Sequence, residues 1–399
     1  MSDTTRDIFG RYSGNKGELF NLALVTSLLT LVTLGIYRFW AKTRIRKYIW
    51  SSIDGDSDKF EYTGTGIEKL LGFLVAVVIL AIYLGIIQMI LFYFGLNLFS
   101  QPTTMAEAVA QTLAVYISFF AVVPLIFFAQ YRARRYKLAR TRWRGVRFGA
   151  EPAAWGYALR AIGHWLLTIL TLGLLLPRQT FYLEKYMTDR SWYGTARFEQ
   201  QGRWQELYPA MKHLFIGALI IVLAVVLVAT TNSPGIGGVF FVVGYIWGMI
   251  GLVSYRVQSF TYLTGHKVLD GSISFRADPQ TSTVVGHVLI GGLLVGLATG
   301  ALLFVAGLIA TAMMSPAALT GSAGAGLAAV ALTAILYLAA LVIASALSLV
   351  WITQPIIDHI VSSTAVENAD ALDAIHQRAM DSGADAEGFA DALDVGGAI

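Results

Sequence analysis

Three long stretches of the chain contain no charged residue. No Asp, Glu, Lys or Arg occurs from Leu70 to Ala106, from His213 to Tyr255 or from Pro279 to Ile357. A bilayer core about 30 Å thick is crossed by a helix of about 20 apolar residues. Because each stretch has room for about two crossings, the pattern predicts a polytopic helical membrane protein of the all-α class.

Short polar connections divide these stretches into helical hairpins. The segments Asn97–Ala106, Thr231–Gly238 and Ser315–Gly324 are rich in Gly, Pro, Ser or Asn and contain no Lys or Arg. Since positively charged loops stay in the cytoplasm, we expect these turns on the outer side of the membrane. The three predicted hairpins of two spanning helices each cover about residues 69–130, 211–262 and 283–357.

Two shorter apolar runs, Leu19–Tyr37 and about Ala153–Pro177, leave two topologies open. If both runs dip into the membrane and return, six helices span, both termini are cytoplasmic and the Lys and Arg of every loop lie inside. If both runs cross, the chain has eight spans, and the basic segment Arg178–Lys212 faces outward. The distribution of positive charge favours six spans.

The two short runs also resemble each other. Leu28–Gly35 (LLTLVTLG) and Leu166–Gly173 (LLTILTLG) share six of eight residues, and a Lys-Tyr pair follows each run at the same distance. We interpret this as an internal repeat. The predicted division is a polar segment (1–18), a first repeat (19–152), a second repeat (153–282), a third hairpin (283–357) and an acidic, disordered tail (358–399).

Polar residues of the short runs recur at helical spacing, so each set shares one helix face. They are Arg160, His164, Thr168 and Thr171 in the second copy, and Thr26, Thr30 and Thr33 in the first. If the two helices meet, the sets form a polar ligand-binding site in which Arg160 and His164 supply charge or hydrogen-bond donors. Alternatively, the threonines bond to carbonyls of their own helix, and Arg160 extends to the membrane surface.

Glu107 is the one acidic residue on the outer side of the predicted bundle. An ionisable residue within a membrane protein is a candidate site residue, and Glu107 is therefore included in the ligand-binding hypothesis. Its place near the start of a spanning helix is explained equally well by the favourable interaction of an acidic group with a helix N-terminus.

Basic residues alternate with aromatic residues just beyond the apolar runs, which is typical of interfacial segments. Attraction to anionic lipid contributes about 1 kcal/mol per basic residue near the surface, although such charges can also serve only to fix orientation. Short β-like stretches in these loops (60–63, 146–148, 196–199 and 273–275) are expected to pair in part beneath the membrane. The predicted headgroup-binding residues are Arg38, Lys42, Arg46, Arg132, Arg135, Arg142 and Arg144.

The amino-acid composition limits the kinds of functional site that the protein can contain. Hydrophobic residues make up 56% of the 399 positions and charged residues only 14%, and there is no cysteine, which excludes disulfides and thiolate sites. The net charge of +4 fits cytoplasmic loops that face anionic lipid, and no nucleic-acid-binding motif accompanies it. Phosphate-loop, metal-helix and nucleophile-elbow motifs are missing as well. We therefore expect no enzyme activity, no cofactor, no metal and no nucleic-acid partner.

Several motifs together resemble a known family. GELFNLALVTSLLTLVTLGIYRFWAKTRIRKYIW, FEYTGTG, YRARRYKLARTRWRGVRF and the second LTLG (Leu170–Gly173) are similar to the bacterial YjgN-like inner-membrane proteins, a family of unknown function. The resemblance implies a bacterial inner-membrane location. It supplies no activity and no catalytic residues.

Two functional hypotheses follow. The first is a protein that binds or transports a small or lipidic ligand through the polar site between the short helices. The alternative is a membrane scaffold or regulator whose basic cytoplasmic face docks anionic lipids or a protein partner. Membrane lipids are the expected partners in either case, and a homo-oligomer is compatible with both.

Overall fold

The computed structural model describes residues 6–99, 101–231, 234–313 and 323–379. Its described residues form two compact units, each assembled from segments that are distant in the sequence. The first unit comprises the described parts of Met1–Phe60, Glu206–His266 and Ser274–Asp370, and the second those of Glu61–Gln205, Lys267–Ile273 and Ala371–Ile399. The units therefore do not coincide with the consecutive repeats and hairpin into which the sequence analysis divided the chain.

Helices account for most of the described chain. In chain order they are α1 (Lys16–Val32), α2 (Arg38–Ser51), α3 (Gly66–Tyr93), α4 (Met105–Ala139), α5 (Ala154–Leu170), α6 (Leu176–Thr188), α7 (Lys212–Thr231), α8 (Pro234–Gly265), α9 (Thr281–Met313), α10 (Ala323–Ser348) and α11 (Gln354–Ser362). A 3-10 helix (Trp204–Met211) precedes α7, and a π-helical turn (Leu349–Thr353) joins α10 to α11.

Six helical segments are long and apolar enough to cross a membrane in the part of the chain that the structure describes. By length and hydropathy, this number matches the six spanning helices expected from the sequence. They are Gly66–Tyr93, Met105–Ala139, Trp204–Thr231, Pro234–Gly265, Thr281–Met313 and Leu327–Ser362. The two short apolar runs form α1 and α5, which are 17 residues each and are not among the six.

Close backbone contacts hold the spanning helices of the first unit together. A Cβ atom on Gly217 of α7 would lie 2.8 Å from the backbone nitrogen of Gly248 in α8, and one on Gly251 would lie 2.9 Å from the backbone of His213. Because lipid provides no hydrophobic driving force between helices, such small residues let the helices approach and gain van der Waals contact.

Polar side chains join the two spanning helices of the second unit. The Tyr83 hydroxyl of α3 donates to the Ala121 carbonyl of α4 (2.9 Å), and the Gln88 amide donates to the Ser118 hydroxyl (2.6 Å). Such bonds between helices satisfy polar groups that lipid cannot solvate. The other end of α4 packs against α5 around a core that includes Tyr131, Tyr157 and Tyr186.

The predominantly helical fold is confirmed, but the protein is not purely all-α, because short strands follow the helix pairs. The strands are β1 (Ile8–Tyr12), β2 (Ile53–Gly55), β3 (Asp58–Lys59), β4 (Glu61–Tyr62), β5 (Thr141–Trp143), β6 (Val146–Ala150), β7 (Ser191–Tyr193), β8 (Ala196–Gln200), β9 (Lys267–Leu269), β10 (Ile273–Ala277) and β11 (Thr364–Glu367). All four stretches predicted to be β-like contain a strand. Strands of two to five residues are too short to leave a clear alternating pattern in the sequence.

Within each unit these strands form an antiparallel sheet. The order in the first unit is β3-β2-β1-β11-β10, with Gly10 opposite Gly55 and Phe275 opposite Val366. The order in the second unit is β9-β8-β7-β6-β5-β4, with Gly149 opposite Trp192. A two-residue turn with positive φ angles, at Arg144 (50°) and Gly145 (74°), closes the β5–β6 hairpin, which matches the right-handed twist of paired strands.

The acidic tail was predicted to be disordered, and the structure differs over residues 358–379. In the first unit α11 continues to Ser362, and β11 pairs with β1 and β10. In the second unit Leu372 and Ile375 are buried. A few apolar side chains at the right positions are thus enough to fold a segment of acidic composition. Residues 380–399 lie outside the described residues.

Candidate functional site

Two helical hairpins of the same design, α1–α2 and α5–α6, carry most of the predicted ligand-site residues. In the first, the Tyr48 hydroxyl near the end of α2 donates to the Asn15 carbonyl just before α1 (3.0 Å). In the second, the Tyr186 hydroxyl near the end of α6 donates to the Ala153 carbonyl just before α5 (3.0 Å). Each bond brings the two ends of a hairpin together, so the two helices of each hairpin are antiparallel.

The tips of the two hairpins have the same backbone conformation. Leu34 and Leu172 each have a φ of 50°, and the following glycines, Gly35 and Gly173, have φ angles of 93° and 89°. The amide of each glycine donates to a threonine carbonyl, Thr30 or Thr168, at 2.7 Å, which closes the C-terminus of the apolar helix. Both leucine side chains are 94% exposed.

Most threonines of the predicted ligand site bond within their own helix. The hydroxyls of Thr26, Thr30 and Thr33 donate to the carbonyls four residues earlier, each at 2.7 Å. Thr171 does the same at 2.8 Å. These bonds are the alternative that the sequence left open for the threonines.

Thr168 is different. Its side chain is 7% exposed, and its hydroxyl has no hydrogen-bond partner in the part of the chain that the structure describes. A buried hydroxyl without a partner is unfavourable by about 1–3 kcal/mol.

Arg160 and His164 lie on the side of α5 that contacts α6. The Arg160 guanidinium donates to the Gly156 carbonyl (3.0 Å) and lies 4.8 Å from the centre of the Tyr186 ring. The His164 ring stacks on Tyr182, and its Nδ1 is 3.4 Å from the Arg178 guanidinium. The structure therefore brings these two residues together with α6. The threonines of α1 belong to the first unit and those of α5 to the second.

Glu107 closes the N-terminus of α4. Its carboxylate accepts hydrogen bonds from the Thr103 amide (2.7 Å) and the Thr103 hydroxyl (2.9 Å), and the Thr104 hydroxyl accepts from the Glu107 amide (3.2 Å). Together with Thr104 it forms a capping box, which satisfies backbone donors at the start of the helix.

The basic residues of α2 do not share one solvent-facing side. Arg38 is exposed, Lys42 is partly buried, and Arg46 is only 3% exposed, with its guanidinium 6.0 Å from the centre of the Trp50 ring. Of the three, Arg38 is therefore the most exposed to solvent.

Arg132 and Arg135 line a cavity of about 370 Å³ at the start of α5. Arg135 is 5% exposed and donates to the Ala150 carbonyl (2.7 Å), which fixes its position. The Arg132 guanidinium lies 5.5 Å from the centre of the Phe128 ring, and Phe128 packs on Trp155 at a centroid distance of 4.7 Å. The cavity therefore combines two cations with an aromatic wall.

Arg142 and Arg144 lie at the β5–β6 hairpin, away from that cavity. The Arg144 guanidinium donates to the Asp373 carboxylate (2.8 Å), and Arg142 stands opposite Arg147 in the sheet. Arg144 thus binds an acidic residue of the folded part of the tail.

A network of three charged side chains was missed by the sequence analysis. Arg134 of α4 forms two hydrogen bonds to Glu184 of α6 (2.8 and 2.9 Å), and the Lys267 ammonium of β9 lies 3.5 Å from the same carboxylate. Thr188 donates to it as well (3.1 Å). Burial alone would raise the pKa of Glu184, but the two cations and these hydrogen bonds lower it to about 2. Burial lowers the pKa of Lys267, and Glu184 offsets part of that effect.

This network fastens two helices to a strand in the second unit. Its members are separated by 50 and 83 positions in the sequence, so no local pattern could reveal it. A group of His, Asp or Glu side chains able to hold a metal ion is not found among the described residues.

Comparison with known proteins identifies a bacterial family and several inner-membrane relatives. The family described as "Bacterial protein of unknown function (DUF898)" matches residues 8–392. A protein named "Inner membrane protein YjgN" from Salmonella typhimurium is 30% identical over 37% of this chain and 33% of its own length. Proteins of the same name from Escherichia coli O157:H7 and K12 are 23% and 24% identical over 34% and 37% of this chain.

The alignments thus span about a third of the length of these curated relatives (33%, 29% and 32%). No solved structure matches this chain significantly. The named relatives and the apolar helices together make it an integral membrane protein.

Proposed function

This chain belongs to the DUF898 family of bacterial proteins of unknown function, and from that premise we propose that it is an inner-membrane lipid-binding scaffold. In this proposal the hairpins α1–α2 and α5–α6 insert their tips into the cytoplasmic leaflet, and their basic ends bind anionic lipid. Both termini and all the β-hairpins then lie in the cytoplasm.

The exposed leucines at the tips carry the proposal. Leu34 and Leu172 are 94% exposed and adopt a left-handed backbone conformation, which is unfavourable by about 1–2 kcal/mol for a residue with a Cβ atom. Glycine or asparagine would relieve that strain in water. A leucine side chain gains about 1.5–3 kcal/mol when it leaves water, so an apolar surrounding favours leucine at these two positions.

The length and path of the hairpins support insertion from one side. A helix of 17 residues is about 26 Å long, which is less than the hydrocarbon core of a bilayer. The hydrogen bonds from Tyr48 to Asn15 and from Tyr186 to Ala153 hold the end of each hairpin beside its start, so both ends of a hairpin lie at the same depth. Six spanning helices and two hairpins that return leave all basic loops on one side, as the positive-inside rule requires.

The identical tips favour a duplicated element. The φ angles and hydrogen bonds of the Leu34–Gly35 turn recur at Leu172–Gly173, and the tyrosine bonds that close the hairpins recur as well. We infer that the two hairpins descend from one ancestral hairpin and share one role at the membrane.

The depth of the tip tests this proposal. A bimane fluorophore attached at Leu172→Cys in lipid nanodiscs should be quenched by lipids with spin labels on their acyl chains and not by aqueous iodide. The matched control is Ser57→Cys, in the exposed β2–β3 turn, where iodide should quench and the spin-labelled lipid should not. Equal iodide quenching at both positions would contradict insertion.

A second candidate function, binding or transport of a ligand along the polar side of α5, is favoured by one observation. Thr168 has a buried hydroxyl without a described partner, one helical turn from His164. A ligand that accepts or donates a hydrogen bond there would satisfy it. Measurement of binding or flux after substitution of the α5 residues tests this function.

A further inference from the structure

The start of α5 differs in one respect from the start of α1. Asn15 caps α1, because its side-chain oxygen accepts hydrogen bonds from the amides of Gly17 (2.8 Å) and Glu18 (3.2 Å). The equivalent residue before α5 is Ala153, which offers no side-chain cap. Since the first amides of a helix have no partner within it, those of α5 require acceptors from elsewhere.

The cavity of about 370 Å³ lies at this uncapped helix start, and the first residues of α5 form part of its wall. Arg132 and Arg135 of α4 form another part, and no Asp or Glu is among its lining residues. The volume lies within the range of pockets that hold small molecules. Two guanidinium groups and a helix N-terminus around one space create a strongly positive site.

The cavity has the architecture expected for a lipid headgroup at the membrane surface. Phe128 and Trp155 pack together at its edge, and Trp155 is 56% exposed. Tryptophan is enriched at the interface between the apolar and aqueous layers. By contrast, the larger cavity of about 770 Å³ in the first unit is lined by Asp278 and Glu367 as well as Arg276, so its charge does not select anions.

We propose that this cavity binds a phosphate group, and that the group belongs to an anionic phospholipid of the cytoplasmic leaflet. Arg132 and Arg135 pair with the phosphate oxygens, and the first amides of α5 donate to them. The choice of a lipid as the source of the phosphate rests on the proposed function, because only an inserted hairpin places the cavity at headgroup level. The cavity's affinity for phosphate does not depend on insertion.

The test uses the full chain in detergent and two matched substitutions of one residue. Ala153→Ser adds a neutral helix cap, whereas Ala153→Asp adds a cap with a negative charge; both favour the helix. Titration calorimetry measures binding of short-chain phosphatidylglycerol, short-chain phosphatidylcholine and inorganic phosphate. Thermal unfolding of each variant shows that the fold is retained.

We expect the wild-type and Ala153→Ser proteins to bind phosphatidylglycerol more tightly than phosphatidylcholine. Ala153→Asp and Arg132→Gln should weaken that binding at least about tenfold, as the loss of a charge-assisted interaction does. The control Arg256→Gln, at an exposed position outside the cavity, should bind normally. Equal affinities of Ala153→Ser and Ala153→Asp, or no binding by the wild type, would overturn the proposal.

The source of the phosphate is decided by the same titrations. Tighter binding of phosphatidylglycerol than of inorganic phosphate supports a lipid, and equal binding overturns the lipid in favour of a soluble phosphate. Fluorescence quenching at Leu172 reports insertion separately, so failure of the phosphate site and failure of the hairpin insertion are distinguishable.

Discussion

The hydroxyl of Tyr186 donates a hydrogen bond to the backbone carbonyl of Ala153 at 3.0 Å, and this bond ties the end of α6 to the start of α5. The Tyr186 ring also receives two guanidinium groups, with Arg190 at 3.7 Å and Arg160 at 4.8 Å from its centre. The Tyr186 side chain therefore joins the two ends of the α5–α6 hairpin and also contacts two arginine side chains there.

Removing the Tyr186 hydroxyl should loosen the hairpin. We expect Tyr186→Phe to lower the free energy of unfolding by about 1 kcal/mol, because the ring contacts remain and one hydrogen bond is lost. The matched control is Tyr182→Phe on the same helix, whose side chain is 39% exposed and which should change stability little. Thermal unfolding in detergent measures both, and equal stability losses in the two variants would argue against a closing role for this bond.

Among the charged side chains of the second unit, we expect Glu184 to contribute most to the free energy of unfolding. Glu184→Gln leaves Arg134 and Lys267 without their shared carboxylate, and we expect a loss of roughly 3 kcal/mol in the free energy of unfolding. The control is Glu151→Gln, whose exposed ion pair with Arg197 should contribute less than about 1 kcal/mol.

The pH dependence follows from the direction of the Glu184 shift. Because its pKa is lowered to about 2 in the folded protein and is about 4.3 in an unfolded chain, its contribution is fully present above the unfolded value. That contribution is lost as the pH falls from about 4.3 towards 2. Glu184→Gln should lack this acid-dependent component in unfolding experiments, and an unchanged acid profile would contradict the assignment.

The sign of a stability change can reveal what surrounds the tip of α5. In water, Leu172→Asn should stabilise the protein by about 1 kcal/mol, because asparagine tolerates the left-handed conformation. In the acyl-chain layer the same substitution should destabilise, since the amide is not solvated there. The control Ser57→Asn, at a φ of 71° in an exposed turn, should stabilise in either case. In nanodiscs we therefore expect thermal unfolding to show that Leu172→Asn destabilises the protein and Ser57→Asn stabilises it.

The transport hypothesis makes a separate prediction. If the polar side of α5 binds a ligand, Arg160→Ala combined with His164→Ala should reduce ligand binding or flux in proteoliposomes at least about tenfold while unfolding stays close to that of the wild type. Thr171→Val is the control, because the Thr171 hydroxyl is already bonded within its helix. Unchanged flux in a well-folded double variant would remove this hypothesis.

The sequence predicted the features that depend on composition over many residues. The uncharged stretches located the candidate spanning helices, and the repeated Thr-Leu-Gly segments marked two turns that share one backbone conformation. Features that depend on distant contacts were not predicted. Four strand segments were predicted as β-like stretches, but the other strands are too short to show a period, and the sequence did not reveal which strands pair. The Arg134–Glu184–Lys267 network joins remote segments, and the folded part of the tail depends on two buried side chains, Leu372 and Ile375.

The absence of a side-chain cap at α5 could have been predicted from the sequence. Ala153 occupies the place that Asn15 takes before α1, and the aligned repeats expose that difference. Its significance became visible only when the structure placed Arg132 and Arg135 beside it, because those arginines come from another helix.

The most direct test of hairpin insertion is the side of the membrane on which the loop after α6 lies. The chain has no cysteine, so Gln205→Cys and Gln101→Cys give matched single labels at exposed positions. With an impermeant maleimide on intact cells, we expect Gln101→Cys to react and Gln205→Cys to react only after permeabilisation. Labelling of Gln205→Cys in intact cells would mean that α5 crosses the membrane, and would contradict the proposed return of both hairpins to the cytoplasmic side.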